Sequence, residues 1–141
     1  MVLFKKLILL FFLSVNFINF CVAQEKYTQT GLASYYSDAF NGRFTSSGEK
    51  YNNKLYTAAH ATLKFHTLVK ITNIYNNKTV IVEINDRCAK YKNRIIDLSK
   101  AAAKQIDLLT SGIASVKLEV ITPADLNIIG NFPDTLLIKY K

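Results

Sequence analysis

Alternation of apolar and polar residues recurs along this chain. Thr79 to Ile84 sets Val80, Val82 and Ile84 on one face against Thr79, Ile81 and Glu83 on the other and is rich in β-branched residues, which predicts a strand. Leu68 to Asn73 alternates likewise, and the pair Asn76-Asn77 turns it into Thr79–Ile84 as a hairpin. Ile113 to Ile121 alternates again, Val116, Leu118 and Val120 against Lys117 and Glu119, and Pro123 ends it. A first short strand is read over Thr30–Tyr36, and the apolar pair Ile95-Ile96 marks a further one. Only one segment reads as helix: Ser99 is a suitable N-cap for Lys100–Leu109, alanines 101 to 103 favour helix, and Gly112 stops it. Between the first strand and this core lies Ser37–Asn53, dense in Gly, Ser, Asn and Asp and without periodicity, a long surface loop whose Phe40, Phe44 and Tyr51 suggest that it packs down. Several short strands with one late helix fit a small closed barrel better than a doubly wound sheet, which needs more helices.

The N-terminus changes that picture. Residues 1–23 carry Lys5 and Lys6, an apolar run from Leu7 to Leu13, and the ending Cys21-Val22-Ala23. This is the order of a secretory signal peptide, and the run is too short to span a bilayer. Cleavage after Ala23 is expected, with a retained anchor as the alternative. Lipidation of Cys21, which would tether the protein to a membrane, lacks the usual small residue before the cysteine, where Asn19-Phe20 stands. The exported chain then comprises a polar leader (24–30), one domain (31–121) and a C-terminal extension (122–141). Loss of residues 1–23 takes two of 18 basic residues and none of 10 acidic ones, leaving a net charge of 16 − 10 = +6. Such a domain favours anionic surfaces such as wall polymers or headgroups; nucleic acid suits the charge but not the compartment.

Candidate chemistry clusters at strand ends. Asn85-Asp86-Arg87 follows the Thr79–Ile84 strand, with Arg94 and Asp97 close behind, so Asp86 is a candidate catalytic carboxylate that could equally cap a turn or pair with an arginine. Glu49 after Gly48, and His60 closing Tyr56–His60, are each weak signals alone, and His66 is weaker, with no polar constellation near it in sequence. Cys88 could pair with His60 or His66 as a nucleophile, but a spectator thiol is the simpler reading. There is no glycine-rich phosphate loop and no paired Cys/His spacing, so neither a metal nor a cofactor is called for.

Taken together, Gly31–Tyr36, Gly48-Glu49, Leu55–His60, Val69–Asn73, Ile84–Arg87 and Arg94–Ala103 resemble the rare lipoprotein A family of secreted double-psi β-barrel proteins. The resemblance runs from Gly31 to Ile121. It implies an all-β, six-stranded double-psi β-barrel with minor helices and lytic transglycosylase activity on peptidoglycan glycan strands in the periplasm or cell envelope of a bacterium. The family's functional trio falls on Glu49, His60 and Asp86. Cys88-Ala89 stands where the family has glycine and proline, and no separate C-terminal glycan-binding repeat is expected.

On this reading Asp86 begins protonated, its pKa raised, gives a proton to the leaving oxygen and then takes one from the C6 hydroxyl of muramic acid as that oxygen attacks C1. Glu49 supplies like-charge pressure or stabilises the positive transition state, and His60 orients one of the two acids. Ser34, Tyr35, Asn85 and Arg87 are candidate sugar contacts, and a monomer is expected. The competing class is a non-catalytic, expansin-like barrel that binds or loosens the wall; a third, a secreted nuclease or nucleic-acid binder, draws only on charge.

Overall fold

The computed structural model describes residues 26–122 and Asp125. The expectations for the signal peptide, for Cys21 and for most of the C-terminal extension lie outside them. Six strands, β1 (Thr28–Tyr35), β2 (Thr57–His60), β3 (Leu68–Asn73), β4 (Thr79–Asp86), β5 (Arg94–Leu98) and β6 (Ala114–Val120), close a barrel in the order β1-β5-β2-β4-β3-β6. The β1–β5 and β2–β4 pairs are parallel and the other four antiparallel, the mixed pairing of a double-psi β-barrel.

Alternation does what it predicts over most of this frame. Val69, Ile71, Val82, Ile84, Ile96, Leu98, Val116 and Leu118 are fully buried in one cluster. The predicted hairpin is the β3–β4 pair, with Asn77 at φ 59° in its turn, a conformation that asparagine tolerates. β2 has no counterpart among the strands expected from the sequence, and three boundaries differ from expectation by two residues or more. β1 starts at Thr28 because Thr28, Gln29 and Thr30 pair with β6, so polar residues assigned to a loose leader belong to the barrel. β4 runs through Asn85 and Asp86, and Glu83 and Asn85 are buried rather than solvent-facing, because loops pack on that end of the strand.

Helix α1 (Lys100–Gln105) stops before the expected Leu109, with Asp107 at φ 56° turning the chain so that Ile106 and Leu108 enter the core. Ser99 is its N-cap, as expected: the buried hydroxyl accepts from the Ala102 N–H and donates to the Leu55 carbonyl. At the other end, Asn73 and Asn76 amides donate to the Ile106 carbonyl, satisfying it away from water. Gly31 sits where β1 runs close against β5; a Cβ there would lie 2.5 Å from Ile95 Cγ2 and 2.7 Å from the Asn93 carbonyl oxygen.

Candidate active site

The site is built on the last two residues of β4. Alternation turns Asn85 and Asp86 to opposite sides, and one tight turn of the long loop clasps both. That turn is closed by Thr45 N–H to the Glu49 carbonyl (2.8 Å) and Gly48 N–H to the Thr45 carbonyl (3.0 Å), with Gly48 at φ 88°, where glycine alone is unstrained. Its Ser47 N–H donates to the Asn85 carbonyl. The loop expected to be functional therefore packs on a strand end.

Asp86, half-buried, accepts four hydrogen bonds. Oδ1 receives the Ser46 N–H (2.8 Å), the Ser46 hydroxyl (2.7 Å) and the Arg87 N–H (2.8 Å), and Oδ2 receives the Tyr36 hydroxyl at 2.7 Å. Burial alone would raise its pKa, but these donors outweigh burial and hold the carboxyl below the usual aspartate value. The expectation of a raised pKa at Asp86 is thus corrected: the free protein carries it as a carboxylate. Tyr36 is shifted the other way, upward, first by burial and then by its bond to this carboxylate, so it stays a phenol and a donor. Its ring is packed 4.9 Å from Tyr51 and 5.6 Å from Phe40, centroid to centroid. Tyr36 leaves β1, which two strands separate from β4 in the barrel order, so no spacing in the chain announces the contact. Neither Tyr36 nor Ser46 was singled out as a site residue from the sequence.

Glu49 lies on the other side of the strand end, where its Oε2 accepts from Asn85 Nδ2 at 3.1 Å. Asn85 is 4% exposed, so it positions Glu49 rather than meeting a sugar. His60 is 3% exposed and does not orient Asp86: Nδ1 accepts from the Thr62 and Leu63 N–H groups, and Nε2 faces Gln29 Oε1 at 3.2 Å. Burial, then the charges of Arg87 and Lys90, push its pKa down, so the ring is neutral. Its link to the site is its carbonyl, which accepts from the Arg87 guanidinium. That guanidinium does not pair with the Asp86 carboxylate either; it lies 3.9 Å from the Phe65 ring centroid, and Arg94 pairs with Asp97.

The remaining candidates divide. The Ser34 hydroxyl donates to Asp97 rather than standing free for a sugar. The Tyr35 hydroxyl reaches the Leu109 carbonyl, and its side chain joins Tyr36, Ser37, Asp38, Lys100 and Gly112 around an open depression of about 460 Å³. A larger one, about 760 Å³, lies between α1 and the β3–β4 turn and holds none of these residues. Cys88 donates to the Ala59 carbonyl, and burial raises its pKa, which makes it a protonated spectator rather than a partner of either histidine. His66, dismissed on sequence, has its Nδ1 2.6 Å from Glu83 Oε1, and together with Glu49 these two gather ligand atoms within 4.8 Å of one another, a set able to hold a metal ion.

A closed double-psi barrel with a carboxylate at a strand end admits more than one family. The comparison that decides between them is a match of residues 28–118 to the double-psi β-barrel family described as lytic transglycolase. The chain belongs to this family. Among relatives of this lytic transglycolase family, the Campylobacter jejuni endolytic peptidoglycan transglycosylase RlpA is 54% identical over 94 residues, 67% of this chain and 34% of that protein. The protein of the same name from Pasteurella multocida is 53% identical over 95 residues (67% and 32%), and that from Neisseria meningitidis serogroup A 50% over 98 (70% and 41%). The chain spans about a third to two fifths of the length of these relatives. Among solved structures, Clavibacter michiganensis expansin superposes with TM-score 0.55 at 18% identity, covering 69% of this chain and 52% of that one. Streptomyces papain inhibitor does so with 0.56 at 21%, covering 68% and 96%. These two likenesses are of fold: family members and proteins of other activity share the barrel, and the site has to carry the function.

Proposed function

We propose that this protein is an endolytic lytic transglycosylase that cleaves the MurNAc–GlcNAc bond of peptidoglycan glycan strands, leaving 1,6-anhydro ends, in the envelope of a bacterium during wall remodelling or cell separation. The observation that carries this reading is the Asp86 carboxyl, fixed by four donors at the end of β4, in a barrel segment of about 95 residues that is about half identical to endolytic peptidoglycan transglycosylases.

The reaction moves one proton from the C6 hydroxyl of muramic acid to the leaving oxygen. A carboxylate that begins ionised keeps that balance in one concerted step: Asp86 takes the hydroxyl proton and passes it to the leaving oxygen while the glycosidic bond breaks and the O6–C1 bond forms. Oδ2, which accepts one hydrogen bond where Oδ1 accepts three, is the oxygen left to exchange it. Its negative charge also faces the oxocarbenium-like centre. Glu49, held by Asn85, adds a second acid to this end of the barrel. Phe44, 74% exposed two residues before Ser46, offers an apolar ring for a sugar face. The test is mass spectrometry of products released from purified peptidoglycan. Soluble fragments with anhydro ends are expected; reducing ends, or binding without release, overturn the reading.

A further inference from the structure

Glu83 and Asn85 share one face of β4, so the Glu49 that Asn85 holds comes to rest beside Glu83. The third member of this cluster, His66, is unusual in its backbone. It stands just before β3 with its N–H on the Ile84 carbonyl (2.7 Å) and φ at 67°, the left-handed region that costs a residue with a Cβ of order 1–3 kcal/mol and draws glycine. That conformation carries the imidazole to Glu83, whose side chain is 2% exposed, while 56% of the ring's own surface remains open to solvent. A turn of the long loop, the entry to β3 and the end of β4 thus deliver three potential ligands to one point. Their donor atoms lie within 4.8 Å of one another.

We propose that Glu49, His66 and Glu83 form a binding site for a zinc-class divalent ion. One imidazole nitrogen and two carboxylates, with a side open to solvent, make a three-ligand set that leaves a fourth position for water. Magnesium and calcium call for near-octahedral or larger all-oxygen shells, which a buried carboxylate beside an imidazole does not provide. Tetrahedral ligands about 2.0–2.1 Å from zinc stand about 3.3–3.4 Å apart. Binding would bring the three donor atoms, now within 4.8 Å of one another, to that spacing, the ion taking the place of the proton between His66 Nδ1 and Glu83 Oε1. The site uses Glu49 but does not depend on the lytic activity, and its test reads binding alone.

The experiment is calorimetric titration of the tag-free protein with Zn²⁺, and separately with Mg²⁺, for wild type, His66→Gly and Glu83→Gln. His66→Gly is the informative variant, because glycine relieves φ 67° and the barrel should fold at least as well; melting in EDTA checks this. One Zn²⁺ per chain is expected in wild type, with affinity at least tenfold weaker in both variants and no comparable Mg²⁺ binding. Absence of Zn²⁺ binding by the wild type, equal binding by a folded His66→Gly, or Mg²⁺ bound as tightly as Zn²⁺ would each overturn the assignment.

Discussion

Four donors on one carboxylate make Asp86 the residue on which activity should depend most sharply. Asp86→Asn keeps an oxygen for the Ser46 and Arg87 N–H groups but cannot relay a proton, so release of anhydro products should fall by about 10²–10⁴-fold with the fold retained by circular dichroism. Tyr36 acts through Asp86 and is a positioning residue. Tyr36→Phe removes one of the donors that hold the carboxyl pKa down while keeping the ring packing on Tyr51 and Phe40. On the proposed mechanism the ionised form of Asp86 is the active one, so this variant should shift the acid limb of the rate–pH profile to higher pH. A merely structural tyrosine would lower the rate without moving the limb. His60 gives the opposite kind of prediction, one about stability. Its folded pKa is depressed, so the unfolded chain binds its proton more readily, and stability should fall as pH drops below the ordinary histidine value of about 6.5. The pH dependence of the melting temperature checks this, and His60→Asn should flatten it in that window.

At the scale of elements, the turn at residues 45–49 fixes both sides of the strand end at once. Gly48→Ala forces a Cβ into φ 88°, where no neighbour clashes but the backbone itself is strained, at about 1–2 kcal/mol. Relaxing that strain moves Ser46 and Glu49 together, so activity should drop more than stability; comparing product release with the urea midpoint separates the two. Ser99→Ala is its converse. It removes the α1 cap and leaves the Leu55 carbonyl without its donor, far from Asp86 in role, so it should cost about 1–3 kcal/mol in the same urea titration with turnover preserved in the remaining folded protein. Strand and cap positions were readable because each rests on local rules: period-two burial over β3, the first half of β4 and the centre of β6, and a serine before three alanines. The short reach of α1 was not readable, since Ile106 and Leu108 serve the core equally well in a turn and in a helix.

At the scale of the whole molecule, the closed barrel explains why residues remote in sequence meet. β1 and β4 are separated by β5 and β2, yet the chain leaving β1 crosses toward the end of β4 and delivers the Tyr36 hydroxyl to Asp86. Parallel β1–β5 and β2–β4 pairs require long crossovers, and those crossovers carry Ser46, Glu49 and His66.

Apolar periodicity and turn chemistry, both local in the chain, determined by themselves five of the six strands, the hairpin, the N-cap and a closed barrel; β2, buried at all four positions, shows no alternation and was not read as a strand, and the resemblance supplied the sixth strand and picked out Glu49, His60 and Asp86. Tertiary structure alone decided what those residues face. It made Asp86 an ionised acceptor rather than a protonated acid, kept His60 off that carboxylate, turned Asn85 from a sugar contact into a support for Glu49, and brought His66 to a buried Glu83. The reason is physical: a pKa and a hydrogen-bond partner depend on groups that arrive through space from other strands and loops, and no spacing along the chain encodes that arrival.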